Sequence, residues 1–284
     1  MQLRHHIRHR NQAQIEHLLI DWSVGPPCDG GESVENPELY YENNVLGSLN
    51  LLKASRAHSI KRFVFSSTCA TYGTPQMIPI TEAAAQQPIN PYGFSKLVIE
   101  RALADYGLAY GLNSVSLRYF NAAGCDPSCK LGERHEPETH LIPLVLQEAL
   151  RLKRGGQPNE TTLKVFGDDF ETTDGSCVRD YVHVNDLCAA HLLATERLLR
   201  NETQGAEFFN LANESGYSVL EVIQACRQVT GQPIEYRIVD RRAGDPAILI
   251  GDATKAKQVL GWQSKTPALT DIVRTAWAWM ISQK

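Results

Sequence analysis

From residue 31 onward the chain alternates helical and strand periods, and that alternation limits the fold more than any other feature. Residues 40–58 set Val45, Leu49 and Leu52 at helical spacing, and Arg62-Phe63-Val64-Phe65 follows as a short buried strand. Residues 90–110 read as a long helix and 114–119 as a second strand. Helix, strand, helix, strand is the order of a parallel sheet with crossover helices, so the expected class is α/β. Beyond Gly124 the rhythm loosens. A helix is expected over 141–153, then strands at 163–166 and 178–184, the latter running into a helix that ends near residue 200. Strands at 207–211 and 234–239 flank a helix at 218–230, and helices near 252–260 and 268–281 close the chain. Residues 125–284 thus suggest a smaller α+β unit, with 177–200 expected to pack back on the first sheet.

The start of the chain is unlike the rest. Arg4, His5, His6, Arg8, His9 and Arg10 crowd it, and residues 1–30 show neither strand nor helix period. They are expected to form a disordered or wrongly specified leader rather than a histidine metal site. With no apolar core behind these basic residues, the start is no signal peptide. No run approaches the roughly 18 apolar residues of a spanning helix, so no membrane partner is expected. A formal charge of −4 argues against nucleic acid. Seven scattered cysteines suit free thiols in a cytoplasmic protein, and Cys125 with Cys129 is too sparse a pair to assign a metal.

The chemistry centres on Asn90-Pro91-Tyr92-Gly93-Phe94-Ser95-Lys96. Tyr92 and Lys96 are four residues apart and share a helix face. An ammonium beside a phenol favours the phenolate, and bringing a phenol from near 10 to neutrality takes roughly 4 kcal/mol of differential interaction. A tyrosine tuned in this way exchanges a proton with a sugar hydroxyl at neutral pH. About 25 residues earlier a strand ends in Ser66-Ser67-Thr68, at the carboxyl end where open α/β sheets bind ligands. Two phosphates in a partly dry cleft would call for guanidinium forks, and Arg179 and Arg242 are candidates. The bland alternative is a structural ion pair, Arg179 with Asp180 or Asp186 and Arg242 with Asp245.

Five blocks together carry a resemblance: Phe65-Ser-Ser-Thr-Cys-Ala-Thr-Tyr-Gly73, the Asn90 to Lys96 segment, Arg118-Tyr-Phe-Asn-Ala-Ala-Gly124, Val178-Arg-Asp-Tyr-Val-His-Val-Asn-Asp186 and Arg241-Arg-Ala-Gly-Asp245. In this order they resemble the UDP-glucose 4-epimerase family of the extended short-chain dehydrogenase/reductases, the NAD-dependent epimerase/dehydratases, from Gly31 to the C-terminus. The resemblance implies a Rossmann-like doubly wound sheet over 31–124 and a nucleotide-sugar-binding domain over 125–284. It implies NAD as cofactor, UDP-glucose and UDP-galactose as substrates, and a homodimer. Tyr92 would be the acid/base on the sugar 4-hydroxyl, with Thr68 hydrogen-bonded to the same oxygen and Lys96 tuning Tyr92 and holding the nicotinamide ribose. Asn43, Ser66 and Phe120 would meet the cofactor. Asn121, His140, Leu141, Phe166, Arg179, Tyr181, Arg242 and Asp245 would meet the nucleotide sugar, with Phe166 a platform for uracil.

The resemblance also exposes a gap. The family begins with β-α-β units whose glycine loop holds the NAD pyrophosphate, and here the first glycine is Gly25. The expectation is therefore an N-terminally truncated or frame-shifted product, with a partial sheet lacking its first β-α-β units, uncovered sheet edges and weak NAD binding. The alternatives are a UDP-pentose or UDP-N-acetylhexosamine 4-epimerase, or a non-catalytic nucleotide-sugar binder. A sugar 4,6-dehydratase would place an Asp-Glu pair after the threonine, where Cys69 and Ala70 stand here.

Overall fold

The structure, a computed structural model, describes residues 18–21, 30–242 and 245–283. In chain order the elements begin with strand β1 (Leu18–Asp21), helices α1 (Gly30–Glu35) and α2 (Pro37–Tyr40), a π turn over Tyr41–Leu46, and helix α3 (Gly47–Ala57). Strand β2 (Arg62–Thr68), helix α4 (Pro91–Tyr110) and strands β3 (Asn113–Tyr119) and β4 (Asn121–Ala123) follow. Then come α5 (Leu141–Lys153), β5 (Lys164–Phe166), β6 (Val178–His183), α6 (Val184–Leu199), β7 (Ala206–Leu211) and β8 (Gly216–Ser218). The chain closes with α7 (Val219–Thr230), β9 (Arg237–Val239), β10 (Ile248–Leu249), a π turn over Ala256–Leu260 and α8 (Leu269–Ser282).

The principal sheet is parallel in the order β1-β2-β3-β7. Its side chains alternate between two covered faces, as strand periodicity requires. Phe63 and Phe65 join Leu52, Ile99, Leu103 and Leu112 beneath α3 and α4. Val64, Val115, Leu117, Phe209 and Leu211 meet Leu187, Ala190 and Ala194 of α6 on the other face. Each such fully buried side chain contributes roughly 1.5–3 kcal/mol. A second core gathers α5, α7 and α8 around Val145, Leu146, Ile223, Ile272 and Val273. There β6 lies between β4 and β10, while β5 and β9 form a separate parallel pair. β6 runs directly into α6, so one continuous segment belongs to both layers.

Two differences from the sequence reading stand out. The stretch read as featureless contributes a strand, Leu18–Asp21, pairing in parallel with Arg62–Phe65; residues 1–17 and 22–29 of the expected leader lie outside the described residues. The 40–58 helix is interrupted by the π turn at Tyr41–Leu46. A π turn carries an extra residue, and each residue of a helix turns the chain by about 100°, so the faces presented before and after it are out of phase.

Candidate active site

Helix α4 starts where the chain provides a full set of start signals. Asn90 is extended and its side chain accepts a hydrogen bond from the Gly93 amide at 2.8 Å, Pro91 occupies the first turn, and the helix ends at Gly111 in the left-handed region. Gly93 is required by contact: a Cβ there would lie 2.4 Å from the Ala70 carbonyl oxygen. The first turn of α4 therefore rests on the backbone that follows β2, which brings Tyr92 beside the strand end carrying Thr68.

Lys96 is buried and donates from Nζ to the Ser66 carbonyl at 3.1 Å. The same ammonium lies 5.9 Å from the centre of the Tyr92 ring and 5.1 Å from that of Phe65. The half-buried Tyr92 ring packs edge-on against Tyr40, with centroids 6.1 Å apart, and the Tyr40 hydroxyl donates to Glu32 at 2.9 Å. Thr68 is buried, and its Oγ1 accepts from the Ala70 amide at 3.2 Å, a bond that does not use the hydroxyl proton. Thr68 thus caps the single 3₁₀ turn, Cys69–Thr71, that follows β2.

Ser66 contributes its carbonyl to Lys96, while its hydroxyl lies 2.9 Å from Nε2 of buried His191. Nδ1 of His191 faces the Leu187 carbonyl at 2.8 Å, which can only accept, so Nε2 takes the Ser66 proton. The Ser66 hydroxyl is thus engaged with α6. Asn43 is exposed and donates to the Leu39 carbonyl at 2.8 Å, whereas buried Asn44 donates to Ser95 Oγ at 3.0 Å. Asn44 is therefore the asparagine the π turn presents to α4, and Asn43 is not brought to it. Phe120 is buried in the core against Gly251.

Beneath this end of the sheet lies a polar network with no counterpart in the sequence reading. Glu100, on the same face of α4 as Lys96, receives Nε and Nη2 of Arg118 at 2.8 and 2.6 Å and the Ser67 hydroxyl at 2.6 Å. Arg118 also donates to the Tyr72 hydroxyl at 2.8 Å, which donates to Asn210 at 2.7 Å. Burial pushes the Tyr72 phenol up to about 12 against the pull of Arg118, so this second tyrosine is set against proton exchange at neutral pH.

A cavity of about 670 Å³ opens beside the start of α4. Its wall brings together Asn121, His140, Leu141, Phe166, Arg179, Tyr181, Arg242 and Asp245, eight of the nine residues expected to meet a nucleotide sugar. Thr68, Tyr92 and Lys96 are not part of this wall, but Ile89 and Asn90, directly before Tyr92, are. Arg179 Nη1 donates to the carbonyls of Val178 and Pro246 at 2.9 and 2.8 Å, and Nη2 lies 3.5 Å from Asp245. The Arg242 guanidinium lies 4.0 Å above the Phe166 ring. Neither bland ion pair forms as posed. Asp180 accepts the amides of Asn213, Glu214 and Gly251, and Asp186 accepts from Ser264, Lys265 and Thr266. Asp245 goes to Arg179 and not to Arg242. Two guanidinium groups at one cavity, one held by carbonyls and one over an aromatic ring, suit a diphosphate beside a planar base.

Comparison with known proteins agrees with this geometry. The family model described as GDP-mannose 4,6 dehydratase matches residues 30–275. The UDP-glucose 4-epimerase of Halalkalibacterium halodurans is 53% identical over 249 residues, covering 88% of this chain and 72% of that protein. The Rhizobium leguminosarum bv. trifolii UDP-glucose 4-epimerase is 49% identical, with 88% and 73% covered. Among solved structures, UDP-glucose 4-epimerase from Brucella ovis in complex with NAD is 45% identical with a TM-score of 0.84, covering 92% of this chain and 77% of that one. The Bifidobacterium longum UDP-glucose 4-epimerase in complex with NAD+ and UDP is 38% identical with a TM-score of 0.85, covering 94% and 77%. Sheet order, catalytic helix, cavity wall and these likenesses converge, and the chain belongs to the UDP-glucose 4-epimerase family.

Proposed function

We propose that this chain interconverts UDP-glucose and UDP-galactose by reversible oxidation at the sugar C4, with NAD as cofactor. One observation carries the reading: the Tyr92 and Lys96 pair is held at the carboxyl end of a parallel sheet, next to a cavity in which Arg179, Arg242 and Phe166 converge. Tyr92 Oη takes the 4-hydroxyl proton and later returns it, and Thr68 donates its hydroxyl to the same sugar oxygen. Lys96, fixed by the Ser66 carbonyl, keeps positive charge beside the phenol and favours its ionised form. Arg179 and Arg242 grip the diphosphate, Phe166 stacks on uracil, Asp245 and Tyr181 fix the arginine side, and Asn121, His140 and Leu141 line the sugar. Gripping the diphosphate firmly and the sugar loosely lets the oxidised sugar turn over and present its other face.

The residues fit NAD at the nicotinamide end, where the Ser66 carbonyl fixes Lys96 beside the Tyr92 ring. When bound, NAD supplies a reversible acceptor for the C4 hydride. Phe120 supports Asn121 from the core. The cavity wall gathers the nucleotide residues but not Thr68, Tyr92 or Lys96, which favours a second reading, a nucleotide-sugar binder without turnover.

We assign the chain to the cytoplasm and to a homodimer. Free thiols at Cys69, Cys125, Cys129, Cys177, Cys188 and Cys226 support the first. Exposed Tyr41, Leu46 and Phe94 support the second, with the Tyr41 and Phe94 rings edge-on at 6.4 Å. Among the described residues no helix is long and apolar enough to cross a membrane.

The decisive experiment assays the purified chain with UDP-galactose and saturating NAD, alongside Tyr92→Phe. Turnover that falls about 10²- to 10⁴-fold in the variant, with UDP affinity unchanged, is the expected result. Turnover unaffected by the substitution overturns the mechanism. UDP binding without any turnover selects the second reading.

A further inference from the structure

The segment between β4 and α5 gathers donor groups of which the nucleotide-sugar reading uses only His140. His135, Glu138 and His140 each present one ligand atom, and these atoms all lie within 4.8 Å of one another. The two imidazole rings are stacked, with centroids 5.4 Å apart and planes 15° from parallel. Glu138 Oε1 lies 3.7 Å from Nδ1 of each ring. That oxygen also accepts the amides of Thr139 and His140 at 2.9 Å, which anchors the carboxylate to the start of α5. Glu133 contacts His140 Nδ1. Nδ1 of His135 is buried with no hydrogen-bond partner among the described residues. A buried polar nitrogen left unsatisfied costs about 1–3 kcal/mol, which a metal–nitrogen bond would remove.

We propose that His135, Glu138 and His140 form a binding site for a divalent cation of the zinc type, with Glu133 supplying the fourth ligand. Two imidazoles with carboxylates are the donor set of borderline ions such as Zn²⁺ and Co²⁺, and not the all-oxygen set that Mg²⁺ and Ca²⁺ require. Around a tetrahedral zinc the donors stand about 3.4 Å apart, so these must close by at most about 1.4 Å, within reach of rotamer adjustment in a loop. The site ties residues 133–140 to the first turn of α5, and Glu138, Thr139 and His140 also line the substrate cavity. Occupancy therefore fixes one rim of that cavity. The cation has no part in the proposed proton chemistry, so the test needs neither nucleotide nor turnover.

The leader also contains His5, His6, His9 and His17, so the full chain is compared with all four changed to alanine. Calorimetric titration with ZnCl₂ near pH 7.5 is expected to give one ion per chain in that background, weakened at least tenfold by His135→Ala. Co²⁺ is expected to give visible d–d bands of tetrahedral intensity in the background and to lose them in His135→Ala. The spectrum keeps the test usable should that variant fold poorly: weak octahedral absorption in the background overturns the site. So does the absence of zinc binding up to about 1 mM. Zinc affinity that changes less than twofold in a folded His135→Ala also overturns it.

Discussion

The two sides of helix α4 are built to different degrees. On the cavity side, eight residues drawn from β4, α5, β5, β6 and the 241–245 loop surround one space, and the guanidinium of Arg179 is locked by two carbonyls and a carboxylate. On the side of α2, the π turn and α3, Tyr41, Leu46, Leu49 and Phe94 are exposed, and the Asn43 amide faces outward. On the proposed function, gripping the nucleotide and carrying out the redox step are then separable properties of one site. The residues proposed for the first converge on one cavity among the described residues. Those proposed for the second include the Tyr92 and Lys96 pair, while Asn43 lies toward solvent.

The network beneath both sides offers the largest effect. Glu100 and Arg118 are buried with side chains 2% and 3% exposed, so Glu100→Ala leaves a buried guanidinium without its carboxylate. A loss of about 3–5 kcal/mol in urea unfolding is expected. If the two sides are separable as described, UDP affinity of the folded fraction stays unchanged, and a parallel loss of UDP binding would break the comparison.

A smaller effect sharpens the cavity side alone. Arg179→Ala removes a charged donor set, which corresponds to about 1.5–3 kcal/mol, or roughly a 10- to 100-fold weaker UDP isotherm. The NAD isotherm is expected to stay unchanged. An Arg179 variant that binds UDP as well as the unaltered chain removes the diphosphate assignment.

The smallest effect is a pH slope, and each region holds one source of it. Burial holds His191, under β2, and His183, between Gly124 and Thr275, below the ordinary imidazole value. Unfolded, both take up a proton near 6.5, so the unfolded state binds more protons in acid. Stability present above that pH is lost as pH falls, by at most about 1.4 kcal/mol per pH unit for each ring. His191→Gln should remove the sheet-side share and leave the His183 share, read as unfolding midpoints from pH 7 to 5. An unchanged slope would place the titration elsewhere.

Much of the fold was legible because its signals are long. The 141–153 helix has the same bounds in sequence and structure, and the catalytic helix differs by one residue at its start. Short strands carry no usable period: β4, β8 and β10 have three, three and two residues and exist only through pairing with β6. β1 was hidden for the same reason, since three apolar residues in a basic leader become a strand only beside β2. At the site, the cavity residues could be found from the blocks that carry the resemblance. The Glu100, Arg118, Tyr72 and Asn210 network could not, because its members are up to 138 positions apart and a helical glutamate ordinarily reads as solvated. Asn44 has a local signal, adjacent asparagines in a helix, but the π turn decides which of them faces α4.

The contact between Gly93 and the Ala70 carbonyl has a consequence for how such a sequence can diverge. Main chain meets main chain there, so no compensating side-chain change elsewhere can make room for a methyl group. On the proposed roles, the pocket walls, made of replaceable side chains, can be retailored to another sugar nucleotide while the Tyr92 ring stays where it is. Substrate range and reaction type are thereby inherited on separate parts of the chain.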